Sequence, residues 1–196
     1  MLDPTEFLSD DDIKAIASKY DVGGTSRHAQ RVVQLSQTIF DLLSIHDKLN
    51  AHDAATLHYA AYLHDIGHFV DTETHDKQSS YLIRNDSALA ALPDELRLYL
   101  ACIAGSHRKN IRKKLYDFDH AIVLKALQLI GILRTADALE FMEQSNLEIK
   151  NITFEHNDLI IHHSDTPVKE LLPRFSKKSR LLKETSEIGL IVKKLD

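Results

Sequence analysis

The spacing of apolar residues changes once along the chain, near residue 146, and this change constrains the fold more than any other feature. Over the first 145 residues, apolar side chains recur three or four positions apart, which predicts amphipathic helices. After Asn146, the segments Leu147–Phe154 and Asp158–His163 alternate with a period of two, which predicts strands. We therefore predict a mainly α-helical bundle over residues 1–145 and a small α+β lobe over residues 146–196, docked on the bundle.

Local signals predict where several elements begin and end. Ser9 is predicted to cap the first helix, and Gly23–Gly24 breaks the pattern before the second. Pro93 is predicted to occupy the first position of a later helix, and Pro167 to open the helix of the lobe. A third strand is predicted over Ile188–Val192, after that helix.

Composition excludes several classes of protein. The net charge of −5 argues against a general nucleic-acid binder. No apolar run approaches the roughly 20 residues of a transmembrane helix, and the N-terminus is acidic where a signal peptide needs cations. Cys102 is the single cysteine, which excludes an internal disulfide framework and fits a reducing compartment, so we expect a cytoplasmic location. Twelve histidines are the one compositional skew that points to chemistry.

Four residues form a candidate metal site: His28 early in a helix, the adjacent pair His64 and Asp65, and Asp137 in a later helix. We call these four the tetrad. Imidazole nitrogen and carboxylate oxygen are donors that divalent first-row metals accept. Neighbouring helical residues point about 100° apart, so one of the adjacent pair would face the core unless both face a polar cleft. The three other His-Asp dipeptides lack the apolar lead-in and the following glycine, Gly67.

The segments around the tetrad resemble a known family. They are Ala60–His68, His75–Asn85, Ser106–Lys109 and Leu133–Glu140. Together they resemble the HD region at the C-terminal end of exopolyphosphatase and guanosine pentaphosphate phosphohydrolase proteins, within the HD-domain superfamily. The resemblance runs from about Thr25 to the C-terminus, with Gln78 where the family tends toward a second histidine. No segment resembles the actin-like ATPase-fold domains of that family, so we expect a free-standing HD module.

The resemblance implies a metal-dependent phosphohydrolase that acts on a phosphorylated small molecule, either a nucleotide or a phosphoanhydride, through a metal-activated water. The tetrad would hold a divalent metal. Mn or Mg is favoured, but the sequence does not distinguish them from Fe, Co, Ni or Zn. His75 and His107 are the candidate ligands of a second metal, because some HD proteins place extra histidines in this part of the chain.

Cations and carboxylates near the tetrad are candidates for substrate contact and for proton transfer. Five of the seven residues from Arg108 to Lys114 are cations, and the last three of these seven are predicted to form a solvated loop. The candidate phosphate contacts are Arg31, His107, Arg108, Lys109 and Arg134. The candidate catalytic carboxylates are Asp65, Asp71 and Glu73.

Two other functions stay open at this level. A non-catalytic HD accessory module would bind a phosphate-rich ligand or mediate dimerisation, and a di-iron centre would support an oxygenase. The complete tetrad favours hydrolysis over a purely structural role, and the cations at 108 and 109 favour phosphate chemistry over oxidation. The expected partner is a phosphorylated small molecule; neither a membrane nor nucleic acid in general is expected, and a homodimer stays open.

Overall fold

The computed structural model describes residues 3–145, 147–164 and 170–195. These residues form seven α-helices and one sheet of three strands near the C-terminus, which confirms the predicted fold class. The helices are α1 (Asp10–Lys19), α2 (Thr25–Leu43), α3 (Ala51–Leu63), α4 (His75–Asn85), α5 (Asp94–Ala104), α6 (His120–Gln144) and α7 (Leu172–Ser186). The strands are β1 (Ile149–Glu155), β2 (Asp158–His163) and β3 (Gly189–Lys194).

Helix α6 is the centre of the bundle. Its 25 residues include apolar side chains on all sides, and it packs against α2, α3, α5 and α7. A helical segment that is apolar all round has to be buried on all sides, and α6 is almost wholly buried from Leu129 to Met142. The position matters for the site, because α6 carries Asp137 into the interior of the bundle.

The sheet has the strand order β1-β2-β3, with β1 antiparallel and β3 parallel to β2. The turn between β1 and β2 contains His156 and Asn157, both with positive φ. Two consecutive left-handed residues are typical of a tight hairpin turn, so the hairpin is confirmed. The third strand is confirmed as well, at Gly189–Lys194.

The helix borders predicted at Ser9, Gly23–Gly24 and Pro93 can be compared with the structure, and the two glycines separate α1 from α2 as predicted. Ser9 caps α1 as predicted: its hydroxyl accepts from the Asp12 amide at 3.2 Å, while the Asp12 carboxylate accepts from the Ser9 amide at 2.9 Å. Pro93 precedes the first helical residue of α5, one position earlier than predicted. Pro167 lies outside the described residues, and α7 begins at Leu172.

The prediction that residues 112–114 form a solvated loop is wrong for Arg112, whose side chain is 20% exposed. Its guanidinium donates to the buried carboxylate of Asp76 and, at 2.6 Å, to the Gly105 carbonyl oxygen. The Arg112 amide also donates to the Ser106 hydroxyl at 2.9 Å. A short 3₁₀ helix follows at Lys113–Asp117. Through these contacts, Arg112 connects helix α4 with the segment that contains His107.

Helices α6 and α7 approach closely at Gly131. A Cβ atom added there would lie 2.8 Å from Leu182 Cα and 2.9 Å from the Leu182 backbone nitrogen. Replacing a helical glycine by alanine ordinarily stabilises a protein by about 0.5–1 kcal/mol. We expect Gly131→Ala instead to lower the free energy of unfolding by about 1–3 kcal/mol, because α7 has to shift. Urea denaturation measures this, and a gain in stability would contradict the close packing.

Cys102 lies in the core and is 1% exposed. Burial raises the pKa of its thiol to about 11, whereas an ordinary thiol has a pKa of about 8.5. We expect no reaction with a thiol reagent in the folded protein at about pH 8, and rapid reaction after denaturation. The folded state should also lose stability as the pH rises above the ordinary thiol pKa. Equal labelling rates in folded and denatured protein would contradict this.

Among the helices that the structure describes, none combines the length and apolar character that a membrane span requires.

Candidate metal centre

Six side chains from five parts of the bundle meet at one place. They are His28 in the first turn of α2, His64 and Asp65 just after α3, His75 at the start of α4, His107 just after α5, and Asp137 on α6. All four members of the tetrad and both candidate ligands of a second metal are thus brought together.

Gly67 shapes the chain around Asp65. It lies in the 3₁₀ helix Ile66–Phe69 and donates its amide hydrogen to the Ser79 hydroxyl of α4 at 2.8 Å. A Cβ atom on Gly67 would lie 2.8 Å from that hydroxyl oxygen and closer still to the His75 carbonyl oxygen. The glycine is required by this close approach, which brings Asp65 against the start of α4.

The Asp65 carboxylate lies between two pairs of histidines. Its Oδ2 is 3.4 Å from His28 Nε2 and 3.5 Å from His64 Nε2. Its Oδ1 is 3.4 Å from His75 Nε2 and 3.3 Å from His107 Nε2. Oδ1 is buried and has no hydrogen-bond partner among the described residues. A buried carboxylate oxygen without a partner is costly, so this one is suited to a ligand.

The other ring nitrogen of each of these histidines is held by a hydrogen-bond acceptor. Nδ1 of His64, His75 and His107 donates to the carbonyl oxygens of residues 61, 72 and 104, at 2.7, 2.7 and 2.8 Å. Nδ1 of His28 donates to Glu140 Oε2 at 2.6 Å. Carbonyl oxygens only accept, so in a neutral ring the proton lies on Nδ1 and the lone pair on Nε2.

These lone pairs face each other at short range. His28 Nε2 is 3.1 Å from His64 Nε2, and His75 Nε2 is 3.1 Å from His107 Nε2. Burial lowers the pKa of His64 and His75, and it lowers the pKa of His107 to about 3, so these three rings are neutral near neutral pH. Two facing lone pairs repel unless a positive ion binds both. The donor set therefore fits one or two divalent metal ions.

The carboxylates of the cluster carry negative charge. Burial alone raises the pKa of Asp65, but the imidazoles, His64 first, hold it below its usual range. Only protonated rings exert this attraction. Burial also raises the pKa of Asp137, but the ammonium of Lys178 outweighs this effect, and the pKa of Asp137 lies below its usual value. Both anions are therefore available to a cation at neutral pH.

Asp137 uses its two oxygens differently. Oδ1 is 3.6 Å from His28 Nε2, whereas Oδ2 accepts a hydrogen bond from Lys178 Nζ. Lys178 lies on α7, so the helix of the lobe reaches the cluster directly. Glu140, one turn after Asp137, orients His28 as described above. Carboxylate partners of this kind fix the ring orientation of histidine ligands in metal sites.

Two groups of side chains have the geometry of metal ligands. One is His28, His64 and Asp65, and the other is Asp65, His68 and His75; within each group the ligand atoms lie within 4.8 Å of one another. The His68 ring stacks on His75, with 3.8 Å between the ring centroids. Asp65 belongs to both groups, as a carboxylate shared by two ions would.

The structure does not bring three of the predicted residues into the cleft. The Arg31 guanidinium makes two hydrogen bonds of 2.6 Å to the Glu143 carboxylate. Asp71 accepts from the Thr74 amide at 3.1 Å, and Glu73 lies exposed. None of the three lines the cleft over the cluster. The predicted roles of Arg31 in phosphate binding and of Asp71 and Glu73 in proton transfer therefore gain no support from the geometry.

The other predicted cations lie near the cluster. Arg108 Nη1 is 3.3 Å from both ring nitrogens of His75, so its guanidinium lies over the ring. Lys109 Nζ donates to the Glu73 carbonyl oxygen at 3.1 Å. Arg134 donates to two carbonyl oxygens, of Ser106 at 2.8 Å and of Lys109 at 3.0 Å. Arg108 lines the cleft over the cluster, and all three line an adjoining cleft.

The cleft over the cluster has a volume of about 490 Å³. Its walls include Asp65, four histidines and Asp137, together with Arg108, Arg174 and Lys178. A slightly larger cleft of about 550 Å³, lined by residues between Arg84 and Ile122, has no histidine among its described lining residues. We therefore take the smaller cleft as the candidate site, because convergent titratable groups indicate function better than size does.

Glu140, Arg174 and Lys178 are residues of this site that the sequence did not predict. Glu140 had a usable signal, because it follows Asp137 by three residues and so shares its helix face. Lys178 lies 41 residues beyond Asp137 in another helix, and no local pattern connects the two. Arg174 is on the same helix and stacks on the Phe141 ring, with its guanidinium carbon 3.5 Å from the ring centroid.

A known protein family matches most of the chain. The model of the family described as "Ppx/GppA phosphatase, domain III" matches residues 10–172. The matched range contains the tetrad, His75 and His107, and it ends at the first residue of α7. Among curated proteins, none matches this chain.

Proposed function

The chain belongs to the Ppx/GppA phosphatase domain III family, and from this premise we propose that it is a metal-dependent phosphohydrolase of the HD type. The observation that carries the proposal is the pair of 3.1 Å contacts between Nε2 atoms on either side of Asp65. The proposed substrate is a phosphorylated small molecule, either a nucleotide or a phosphoanhydride. We also propose that residues 1–145 form the metal-binding domain and that the lobe of residues 146–196 completes its site.

The tetrad would hold one metal, and Asp65 with His75 and His107 would hold a second. A divalent metal, with Mn²⁺ or Mg²⁺ favoured, supplies Lewis acidity that makes water nucleophilic at neutral pH and balances charge on the phosphoryl group. Burial keeps His64 and His107 neutral, so they offer their lone pairs without first losing a proton. Glu140 and the backbone carbonyl groups hold the rings in position for this.

Two cations are placed to bind the phosphoryl group itself. Arg108 lies over His75, and Lys178 lies beside Asp137. Both side chains line the cleft over the cluster. Cations held at fixed positions stabilise the negative charge that spreads over the phosphoryl oxygens as the bond to the leaving group lengthens. Arg108, which no carboxylate of the described residues neutralises, is the stronger candidate for this role.

Phosphate release from a panel of phosphoesters and phosphoanhydrides tests the proposal. The protein is stripped with a chelator and assayed alone, then after addition of Mn²⁺ or Mg²⁺. We expect turnover of at least one substrate only after metal is added, and loss of that turnover when chelator is restored. Turnover that persists in excess chelator would contradict a metal-dependent reaction.

A second candidate function is a non-catalytic module that binds a phosphate-rich ligand. The observation in its favour is the adjoining cleft, whose side chains are almost all cations. Binding an anion there does not by itself require a reaction. If metal-loaded protein turns over no member of the panel but binds one of them tightly, this second function replaces the first.

A further inference from the structure

A second cleft adjoins the candidate metal centre and is lined almost entirely by cations. Its volume is about 300 Å³. Besides His107, its lining residues are Arg108, Lys109, Arg134, Arg174, Lys177 and Lys178. No carboxylate is among the described residues that line it, although the chain as a whole carries a net charge of −5. We call it the cationic cleft. Such a concentration of one charge attracts anions and is costly without them.

The cationic cleft and the cleft over the metal centre share a wall. His107, Arg108, Arg174 and Lys178 line both of them. A ligand whose phosphoryl group lies at Asp65 can therefore extend past these residues into the cationic cleft. The two clefts form one site with two compartments, of which only the first contains candidate metal ligands.

Helix α7 supplies half of the cations. Arg174, Lys177 and Lys178 are spaced at i, i+3 and i+4, which places them on one face of the helix. The ring of Phe141 holds the Arg174 guanidinium in place, at 3.5 Å from the ring centroid. Arg174 and Lys177 have no carboxylate partner among the described residues. Both lie beyond residue 172, where the family match ends.

Arg134 adds a partly buried charge to the same cleft. Its hydrogen-bond acceptors are backbone carbonyl oxygens, and no described carboxylate neutralises it. Burial lowers the pKa of this guanidinium, the direction expected for a cation removed from water without a counter-ion. Arginine held in this way by carbonyl groups is prepared for a charge-assisted bond to an anion.

We propose that the cationic cleft is a subsite for a second anionic group of the substrate, one that is not hydrolysed. This inference rests on the proposed function. It assigns Arg174 and Lys177 as residues that determine specificity, selecting substrates with a distal phosphoryl or similar anionic group over simple phosphomonoesters. The selection depends on α7, whose close approach at Gly131 brings these side chains to the cleft.

Calorimetry tests the proposal. The full chain, either chelator-treated or loaded with Mn²⁺, is titrated with inorganic phosphate and, separately, with tripolyphosphate. The test variant is the double substitution Arg174→Gln/Lys177→Met, whose positions are exposed and should not affect folding. We expect its Kd for tripolyphosphate to rise about tenfold or more, and by a larger factor than its Kd for inorganic phosphate, since Arg174 also lines the cleft over the metal centre but Lys177 does not. Lys183→Met is the matched control, because Lys183 is an exposed cation of α7 that lines neither cleft.

The outcomes separate this inference from the proposed function. Loss of tripolyphosphate affinity in chelator-treated protein supports the subsite even if no substrate is ever turned over. An unchanged Kd in the double variant, or an equal loss in Lys183→Met, overturns it. If inorganic phosphate binds as tightly as tripolyphosphate and is equally sensitive to the double substitution, the cleft holds a free anion, and the role in substrate selection is overturned.

Discussion

Asp65→Asn is expected to remove metal binding and phosphohydrolase activity together. Among the described residues, Asp65 is the one carboxylate within 3.5 Å of four imidazole nitrogens, so its amide analogue changes the charge at the centre of the cluster while keeping its shape. Losing a residue that merely orients a metal ligand typically lowers metal affinity or activity 10- to 100-fold. Asp65 is a proposed ligand itself, so we expect Asp65→Asn to lower metal affinity by at least about 100-fold. Metal content after dialysis and phosphate release measure the two effects.

Asp71→Asn is the matched control, because it makes the same chemical change six positions later in the chain. The sequence predicted Asp71 as a catalytic carboxylate, whereas the structure does not place it in the cleft. Asp71 is hydrogen-bonded to Thr74 and does not line the cleft. We expect its metal content to be unchanged and its activity to stay within about twofold of the wild type. If Asp65→Asn has an unchanged circular dichroism spectrum and still keeps the wild-type metal content, the assignment of Asp65 as a metal ligand is contradicted.

Arg112→Met is expected to lower the free energy of unfolding by about 3 kcal/mol, because it leaves the Asp76 carboxylate buried without its cation. The Asp76 side chain is 1% exposed, whereas that of Arg112 is 20% exposed. Breaking a buried pair from one side typically costs about 3–5 kcal/mol, and the partial exposure of Arg112 places the effect at the low end. Urea denaturation followed by circular dichroism measures this change.

Two further variants establish the cause of that loss. Lys113→Met removes the neighbouring, exposed cation and is expected to change stability by less than about 0.5 kcal/mol. Asp76→Asn, added to Arg112→Met, should recover much of the lost stability, because an amide is less costly to bury than an unpaired charge. A loss below about 1 kcal/mol in Arg112→Met would show that the pair contributes little.

Much of the fold could be predicted because it depends on local patterns. The change of apolar period near residue 146 indicated the helices and the hairpin, and Ser9 indicated the start of α1. The Pro93 prediction was off by one residue, because proline suits the position before a helix as well as the first turn.

The site could be predicted only as far as each residue carried its own signal. The tetrad stood out through its residue types and flanks, and the structure brings its members together. The prediction that Arg31 contacts phosphate did not anticipate Glu143, because the sequence around one helix does not reveal the carboxylate that lies opposite it on another. The reading of Arg112 as solvated failed similarly, since a run of cations does not reveal a buried partner such as Asp76. Contacts that depend on helix packing, such as that of Lys178, have no local signature.

Titration of chelator-stripped wild-type protein with Mn²⁺, followed by calorimetry near neutral pH, tests the central claim most directly. That claim is that the histidines around Asp65 bind divalent metal. The expected result is saturable binding of about one or two ions per chain, with protons released to the extent that any ligand was protonated. The claim is contradicted if the protein shows no saturable binding of Mn²⁺ and, in the same experiment, none of Mg²⁺, Fe²⁺, Co²⁺, Ni²⁺ or Zn²⁺.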